Sequence, residues 1–127
     1  MVYTSLAALM AVFLTFIFMG RVGKMRGKHD IKAPACSGHE EFDRAFRAHM
    51  NHVEQMVMFL PVLFLSVAVL GDIYAGAVGM VWCVGRAMYF YAYCGEASKR
   101  SSGFMVSFLA FVVLFGASLW GVISQLI

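Results

Sequence analysis

Uncharged apolar stretches alternate with short polar segments along the chain, and this pattern predicts long helices. Residues 1–20 and 103–125 carry no charged side chain, and a third such stretch covers residues 55–71. At 1.5 Å per residue, about 20 helical residues cross the hydrocarbon core of a bilayer. Glycines and a proline mark the first connection. We therefore predict one domain over residues 1–127, with helices at about 1–26, 41–71, 74–97 and 103–125.

The amino-acid composition indicates which solvent surrounds this fold. Hydrophobic residues make up 61% of the 127 residues and charged residues 13%, far from the balance of soluble domains. A soluble chain of this length keeps a large share of its surface in water and could not bury so much apolar area. The predicted fold class is therefore all-α, an integral membrane four-helix bundle.

The cations are distributed unevenly along the chain. All ten lie in residues 21–47 and 86–100, and the predicted turn at Asp72 has none. By the positive-inside rule both cationic segments face the cytoplasm, which puts both termini on the opposite side. This arrangement argues against nucleic acid as a partner. Three cysteines without metal-ligand spacing predict neither a disulfide framework nor a metal site, and His29 and His39 are interpreted as solvated loop residues.

Polar residues at the start of the second helix form a stripe. On a helix, Arg47, Asn51 and Glu54 share one face, and Glu54 directly precedes an uncharged apolar tract. An ionisable group at that depth usually faces a bundle interior or a polar cavity. The alternative is a juxtamembrane face in contact with water and headgroups, and Arg44 and His52 are assigned to such a wetted side.

A second stripe lies on the third helix, where Arg86, Tyr89 and Tyr93 follow helical spacing. Either tyrosine alone could be an interfacial anchor. Arg86, in contrast, lies about three turns from the loop, and a nearby acid or an anionic ligand would account for it. Glu54 is an available partner.

Antiparallel packing of the second and third helices brings both stripes to one end of the bundle. Arg26 closes the first helix at this end, and Arg100 precedes the fourth. Several guanidiniums with one carboxylate suit a ligand that carries several carboxylates and one ammonium group. This description fits a small anionic peptide.

With these residues in view, the sequence resembles the MAPEG family, membrane-associated proteins in eicosanoid and glutathione metabolism. The resemblance covers nearly the whole chain and includes two motif regions. Glu41 to Glu54 is similar to the family pattern E-[FR]-x-R-x-x-R-A-[HQ]-x-N-x-x-E, and Gly85 to Tyr93 to the pattern G/A-R-x-x-Y-x-x-x-Y. The resemblance implies a homotrimer of four-helix subunits that binds glutathione between neighbours, near the cytoplasmic side, as co-substrate.

The same resemblance implies roles for individual residues. Arg100 falls where leukotriene synthases carry the arginine that faces the thiol, which makes it the predicted catalytic residue; an adjacent guanidinium favours the reactive thiolate. Arg86 matches the family arginine that pairs within the core. Carried over by position, the glutathione-binding set is Arg26, Arg47, His49, Asn51, Glu54, Arg86, Tyr89 and Tyr93. The implied activity is glutathione transfer to, or peroxidase activity on, lipophilic small molecules that arrive through membrane lipid.

Three departures favour a general transferase over a dedicated eicosanoid synthase. Gln55 stands where leukotriene synthases have an aromatic ligand, Gly27 where they have a second arginine, and His52 where related transferases have aspartate. Two alternatives remain open. One is a non-catalytic lipid-binding member, similar to the lipoxygenase-activating protein; the other is a carrier of protons or small polar solutes that uses Glu54.

Overall fold

The structure, a computed structural model, describes residues 1–127 and is entirely helical. Four long helices account for most of the chain: α1 (Val2–Lys28), α2 (Glu40–Leu65), α3 (Val67–Gly95) and α4 (Ser101–Ile123), with a 3-10 turn at Ala97–Arg100. The predicted all-α class with four helices is confirmed. α1, α3 and the segment Ala97–Ile123 are each long and apolar enough to span a membrane.

The turn between the second and third helices was predicted at residues 71 to 74, and the helical path breaks there, at Gly71. α2 ends at Leu65 and α3 begins at Val67. Ser66, between them, keeps helical φ and ψ angles. Backbone hydrogen bonds of 2.9 Å continue across it, from the Ser66 N–H to the Val62 carbonyl and from the Leu70 N–H to the Ser66 carbonyl. Gly71 then interrupts the path of α3 with φ +75°, a conformation that glycine adopts without steric cost. The predicted turn is thus present as a kink at Gly71, which joins two helical segments within the range of α3.

Asp72, directly after this kink, ties α3 to the start of α1. Its Oδ1 atom accepts hydrogen bonds from the Thr4 backbone N–H at 2.9 Å and the Thr4 hydroxyl at 2.7 Å. Its Oδ2 atom accepts one from the Tyr3 N–H at 3.2 Å. These N–H groups belong to the first turn of α1 and have no partner within that helix. Asp72 therefore caps α1 from a different helix.

The connection from α1 to α2 is held by ionic contacts at the two helix ends. Glu41 accepts from Lys28 at 2.6 Å and lies 2.9 Å from the Nε2 atom of His29. The Lys28 and His29 contacts hold the pKa of Glu41 at about 2. The prediction of solvated loop histidines is wrong for His29, whose side chain is 14% exposed and stacks on the His39 ring at 3.5 Å.

Large side chains fill the interior of the bundle between α1, α2 and α3. The Phe18 ring stacks on Phe90 and the Phe59 ring on Trp82, each with 3.8 Å between ring centroids. All four side chains are almost completely buried. These aromatic pairs fix the distances between the three helices.

Small residues set a much closer contact between α3 and α4. A Cβ atom added at Gly103 would lie 2.2 Å from the Tyr89 backbone nitrogen, and one added at Gly85 would lie 2.5 Å from that of Ser107. Residues without bulky side chains let membrane helices approach in this way. As a result the start of α4 lies against the end of α3.

Gly103→Ala is expected to destabilise the protein by about 1–3 kcal/mol, because the new methyl group overlaps the backbone of Tyr89 and must push α4 away. Gly116→Ala is the matched control on the same helix, since nothing lies within 4 Å of its added Cβ. Thermal unfolding in detergent micelles measures both. Equal unfolding temperatures for the two variants would contradict the close contact.

Candidate functional site

A buried arginine joins α2 and α3 at the centre of the polar cluster. Arg86 is 1% exposed, and its Nη2 group donates to the Oδ1 atom of Asn51 at 2.9 Å. The guanidinium carbon lies 4.4 Å from the centre of the Tyr89 ring, within the range of a cation–π contact. The sequence suggested Glu54 as the partner, and this is wrong: the amide of Asn51 takes that position.

Glu54 instead pairs with an arginine on its own helix. The Nη1 group of Arg47 donates to Glu54 Oε1 at 2.8 Å, with the two side chains 56% and 49% exposed. The residues share one helical face, as predicted, and lie on the outside of the isolated chain. Ion pairs this exposed contribute little to stability. The pair is therefore available to exchange partners with a charged ligand.

The 3-10 turn before α4 brings Arg100 to the same cluster. Its guanidinium carbon lies 5.4 Å from the centre of the Tyr93 ring, and its Nη1 group donates to the Ala97 carbonyl at 2.6 Å. The Tyr89 and Tyr93 rings lie 5.6 Å apart. A continuous series of contacts thus runs from Asn51 on α2 across α3 to Arg100.

A cleft of about 430 Å³ opens where these contacts meet α4. Its lining combines polar and apolar side chains, which are Asn51, Tyr89, Arg100, Ser101, Phe104 and Met105. Sequence reasoning missed Phe104 and Met105, which resemble any other apolar residue of a membrane helix. Their spacing of four and five positions after Arg100, about one helical turn, is the signal that could have found them. The cleft can hold a polar molecule and an apolar molecule next to each other, so that the reactive group of the first contacts the second.

Two of the predicted site residues, Arg26 and His49, lie away from this cluster. The Arg26 guanidinium donates to the Ala35 carbonyl at 2.8 Å and lies over the Phe42 ring. His49 is about 160° around α2 from Asn51 at 100° per residue, and its Nδ1 atom is buried without a hydrogen-bond partner. Within one chain the predicted site is therefore divided between two flanks of α2.

The two residues assigned to a wetted side of α2 occupy other surroundings. His52 is fully buried, with its Nε2 atom 3.1 Å from the Ala11 carbonyl and its ring 4.9 Å from that of Phe18. Arg44 is half-buried, and its Nε group donates to the Cys94 carbonyl at 3.1 Å. The prediction is wrong for His52, which joins α2 to α1. Arg44 keeps part of a wetted position, since its Nη1 group pairs with the exposed Glu40, and it also joins α2 to the end of α3.

Fold and cluster together define a helical membrane protein with an arginine- and tyrosine-rich site at one end of its bundle. The chain belongs to the MAPEG family, whose sequence model matches residues 4–120. It is 38% identical to human microsomal glutathione S-transferase 2 over 79% of this chain and 69% of that protein. Leukotriene C4 synthase of Cavia porcellus is 27% identical over 92% of this chain and 78% of its own length. An uncharacterized protein of Synechocystis is 32% identical over 99% and 92% of the two chains.

Asn51→Ala is expected to destabilise the protein by about 1.5–3 kcal/mol, because it removes the acceptor from a charged and buried guanidinium. The Nε atom of Arg86 already has no hydrogen-bond partner. Without Asn51, the buried guanidinium would lose the hydrogen bond of its Nη2 group as well. Asn51→Asp keeps an acceptor at the same position and is the control. Chemical denaturation in micelles measures the difference, and equal losses for both variants would exclude the Arg86 hydrogen bond as the cause.

Proposed function

We propose that this protein is a glutathione-dependent membrane transferase that activates the glutathione thiol for attack on lipophilic electrophiles. The observation that carries the proposal is the position of Arg100 at a cleft lined by both polar and apolar side chains. Relatives named microsomal glutathione S-transferase 2 and leukotriene C4 synthase support the substrate class. Arg100 is the proposed catalytic residue.

Glutathione has two carboxylates and one ammonium group, and the cluster offers complementary charges. The exposed Arg47–Glu54 pair separates as the ligand binds, so that Glu54 takes the ammonium group and Arg47 a carboxylate. Charge-assisted hydrogen bonds of this kind are stronger than neutral ones. Buried Arg86 holds Asn51 in position, and the hydroxyls of Tyr89 and Tyr93 donate to the peptide.

The chemical step is a nucleophilic attack by sulfur. A thiol has an ordinary pKa of about 8.5, so the reactive thiolate is a minor form near neutral pH. The Arg100 guanidinium stabilises the thiolate, and the proton leaves to solvent. The sulfur electron pair then forms a bond to the electrophilic carbon, and the leaving group departs with its own pair. With a lipid hydroperoxide, two glutathione molecules supply the two electrons and become the disulfide, while the products are an alcohol and water.

The division of the predicted site between two flanks supports a shared site in a homotrimer. Arg26 and His49 of one chain would face the Arg47, Asn51 and Arg100 flank of the next, which completes a pocket around glutathione. In this arrangement α2 is the fourth membrane span, and its polar start and the cationic connections lie on the cytoplasmic side. Both chain termini are then on the opposite side.

A second function, non-catalytic lipid binding, is favoured by one further feature. A groove of about 330 Å³ between α3 and α4 is lined only by apolar residues, among them Val78, Val81 and Leu109. An acyl chain fits such a surface without any contribution from the charged cluster. The two functions differ in whether the protein conjugates glutathione.

Arg100→Ala is expected to lower kcat for conjugation of glutathione to an aryl halide about a hundredfold, the usual effect of removing one preorganised charge-stabilising group. The ultraviolet absorbance of bound thiolate should fall in parallel. Lys99→Ala is the control, because this neighbouring cation is 71% exposed and pairs with Glu96. Wild-type protein that binds lipid but neither binds nor conjugates glutathione would support the second function instead. If Arg100→Ala conjugates normally, the thiolate role of Arg100 is wrong.

Co-expression of an Arg26→Ala chain with an Arg100→Ala chain tests the shared site. Each variant alone is expected to have little activity. A mixed site is intact when its Arg26 flank comes from the Arg100→Ala chain and its Arg100 flank from the Arg26→Ala chain. Random assembly of equal amounts of the two chains therefore restores about a quarter of the wild-type sites.

The control for this experiment pairs Arg47→Ala with Arg100→Ala. Both residues lie on the same flank, so no mixed assembly contains an intact site and activity stays low. Activity restored equally by both pairs, or by neither, would contradict a site divided between chains in this way.

A further inference from the structure

Three potential metal ligands meet where α1 ends and α2 begins, in a place the proposed transferase chemistry does not use. His29 caps the C-terminus of α1, and His39 caps the N-terminus of α2. Glu41 lies in the first turn of α2. One ligand atom from each of these side chains lies within 4.8 Å of the others.

Local hydrogen bonds orient the three side chains toward each other. The Nδ1 atom of His39 accepts from the Glu41 backbone N–H at 3.3 Å, which leaves its Nε2 atom available as a ligand. The Nε2 atom of His29 is already 2.9 Å from Glu41 Oε2. The two imidazole rings stack with 3.5 Å between their centroids. Two imidazoles and a carboxylate are therefore held close together at the two ends of the connection between α1 and α2.

We propose that His29, His39 and Glu41 bind a divalent transition-metal ion, with Zn²⁺ as the preferred one. Imidazole nitrogen and carboxylate oxygen are the ligand types that zinc takes in sites with three protein ligands, where a water molecule completes the tetrahedron. This inference does not depend on the proposed transferase function.

Binding requires only small movements, and the exposed side chains of His39 and Lys28 make the larger ones. Ligand atoms around tetrahedral zinc lie about 3.3 Å apart at bond lengths near 2.0 Å. The distances between the three ligand atoms, at most 4.8 Å, therefore have to shorten by about 1.5 Å or less. The exposed His39 ring turns out of its stack on His29 to achieve this. Lys28, whose amine is 2.6 Å from Glu41 and whose side chain is 54% exposed, swings into solvent.

A metal ion at this position would cross-link the end of α1 to the start of α2 and reduce the mobility of the connection between them. Arg26 hydrogen-bonds to the carbonyls of Ile31 and Ala35 in that connection. The ion would therefore restrict the segment that holds the Arg26 side chain. Since the ion binds only the folded chain, it raises the unfolding temperature by mass action.

Zinc titration of tag-free protein in micelles, against a chromophoric zinc chelator, tests the proposal. The parent carries Cys36→Ser, because Cys36 is the one exposed thiol and could bind zinc by itself. His39→Asn and Glu41→Gln are the test variants. Asparagine retains the helix cap but lacks the imidazole, and glutamine lacks the charge. Asp30→Asn, in the same connection, is the matched control.

The parent is expected to bind one zinc ion per chain, and its unfolding temperature should rise with added zinc. Loss of outer-shell partners alone weakens zinc sites by about 10–100-fold, so removal of a ligand should weaken binding at least about tenfold. Asp30→Asn should bind as the parent does. Unfolding temperatures measured without zinc establish that each variant is folded.

Cobalt supplies an independent readout of the ligand set. Substoichiometric Co²⁺ in the parent should give visible bands of a four-coordinate nitrogen and oxygen site, and these bands should disappear in both test variants. The proposal is overturned if the parent binds no zinc, if Asp30→Asn weakens binding as much as Glu41→Gln, or if both test variants bind zinc as tightly as the parent.

Discussion

The close approach of α3 and α4 is the constraint on which the rest of the site depends. Gly103 lies against the backbone of Tyr89, and Gly85 lies against Ser107. Neither contact tolerates a larger residue, and both lie near the end of α3 that carries the tyrosines. This contact places the 3-10 turn, and with it Arg100, beside Tyr93. The catalytic proposal thus rests on two residues that have no side chain.

The buried guanidinium of Arg86 is the second constraint. A charge this deep in a helical bundle is costly unless it is hydrogen-bonded, and Asn51 and the Tyr89 ring supply the compensating contacts. The interaction also fixes the rotation of α2 relative to α3. That rotation in turn puts Arg47 and Glu54 on the outer surface, where they can meet a ligand.

Sequence patterns predicted the elements whose signals are local. The first and fourth helices lie within two residues of their predicted bounds, because each contains an uncharged apolar stretch of about the length that spans a bilayer. Arg47, Asn51 and Glu54 share one face because helical spacing alone requires it. The turn predicted at Gly71 coincides with the break in the helical path, because only a glycine adopts that positive φ without steric cost. Ser66, where α2 formally ends, keeps helical dihedral angles, and no sequence signal marks it in the uniformly apolar tract from residue 55 to 71.

Features that depend on contacts between distant residues were not predicted. His52 precedes Phe59 by seven positions, two helical turns, and so shares its buried face; this signal was present in the sequence but was outweighed by the polar residues around it. The partner of Arg86 depends on side-chain rotamers, which spacing does not determine. The stack of His29 on His39 joins two helix ends across a connection of nine intervening residues, and no periodic pattern records it.

The polar side chains in one short stretch of α2 therefore point in three different directions. For this reason the stretch could not be interpreted as a single polar stripe. Arg47, Asn51 and Glu54 form one flank, His52 points into the core, and His49 lies on the other flank. A helix with polar groups on two flanks and an apolar face between them suits a subunit that meets two different neighbours. In a closed ring of identical chains each flank of one subunit faces the opposite flank of the next. The polar residues that look dispersed on one chain would then converge at each interface.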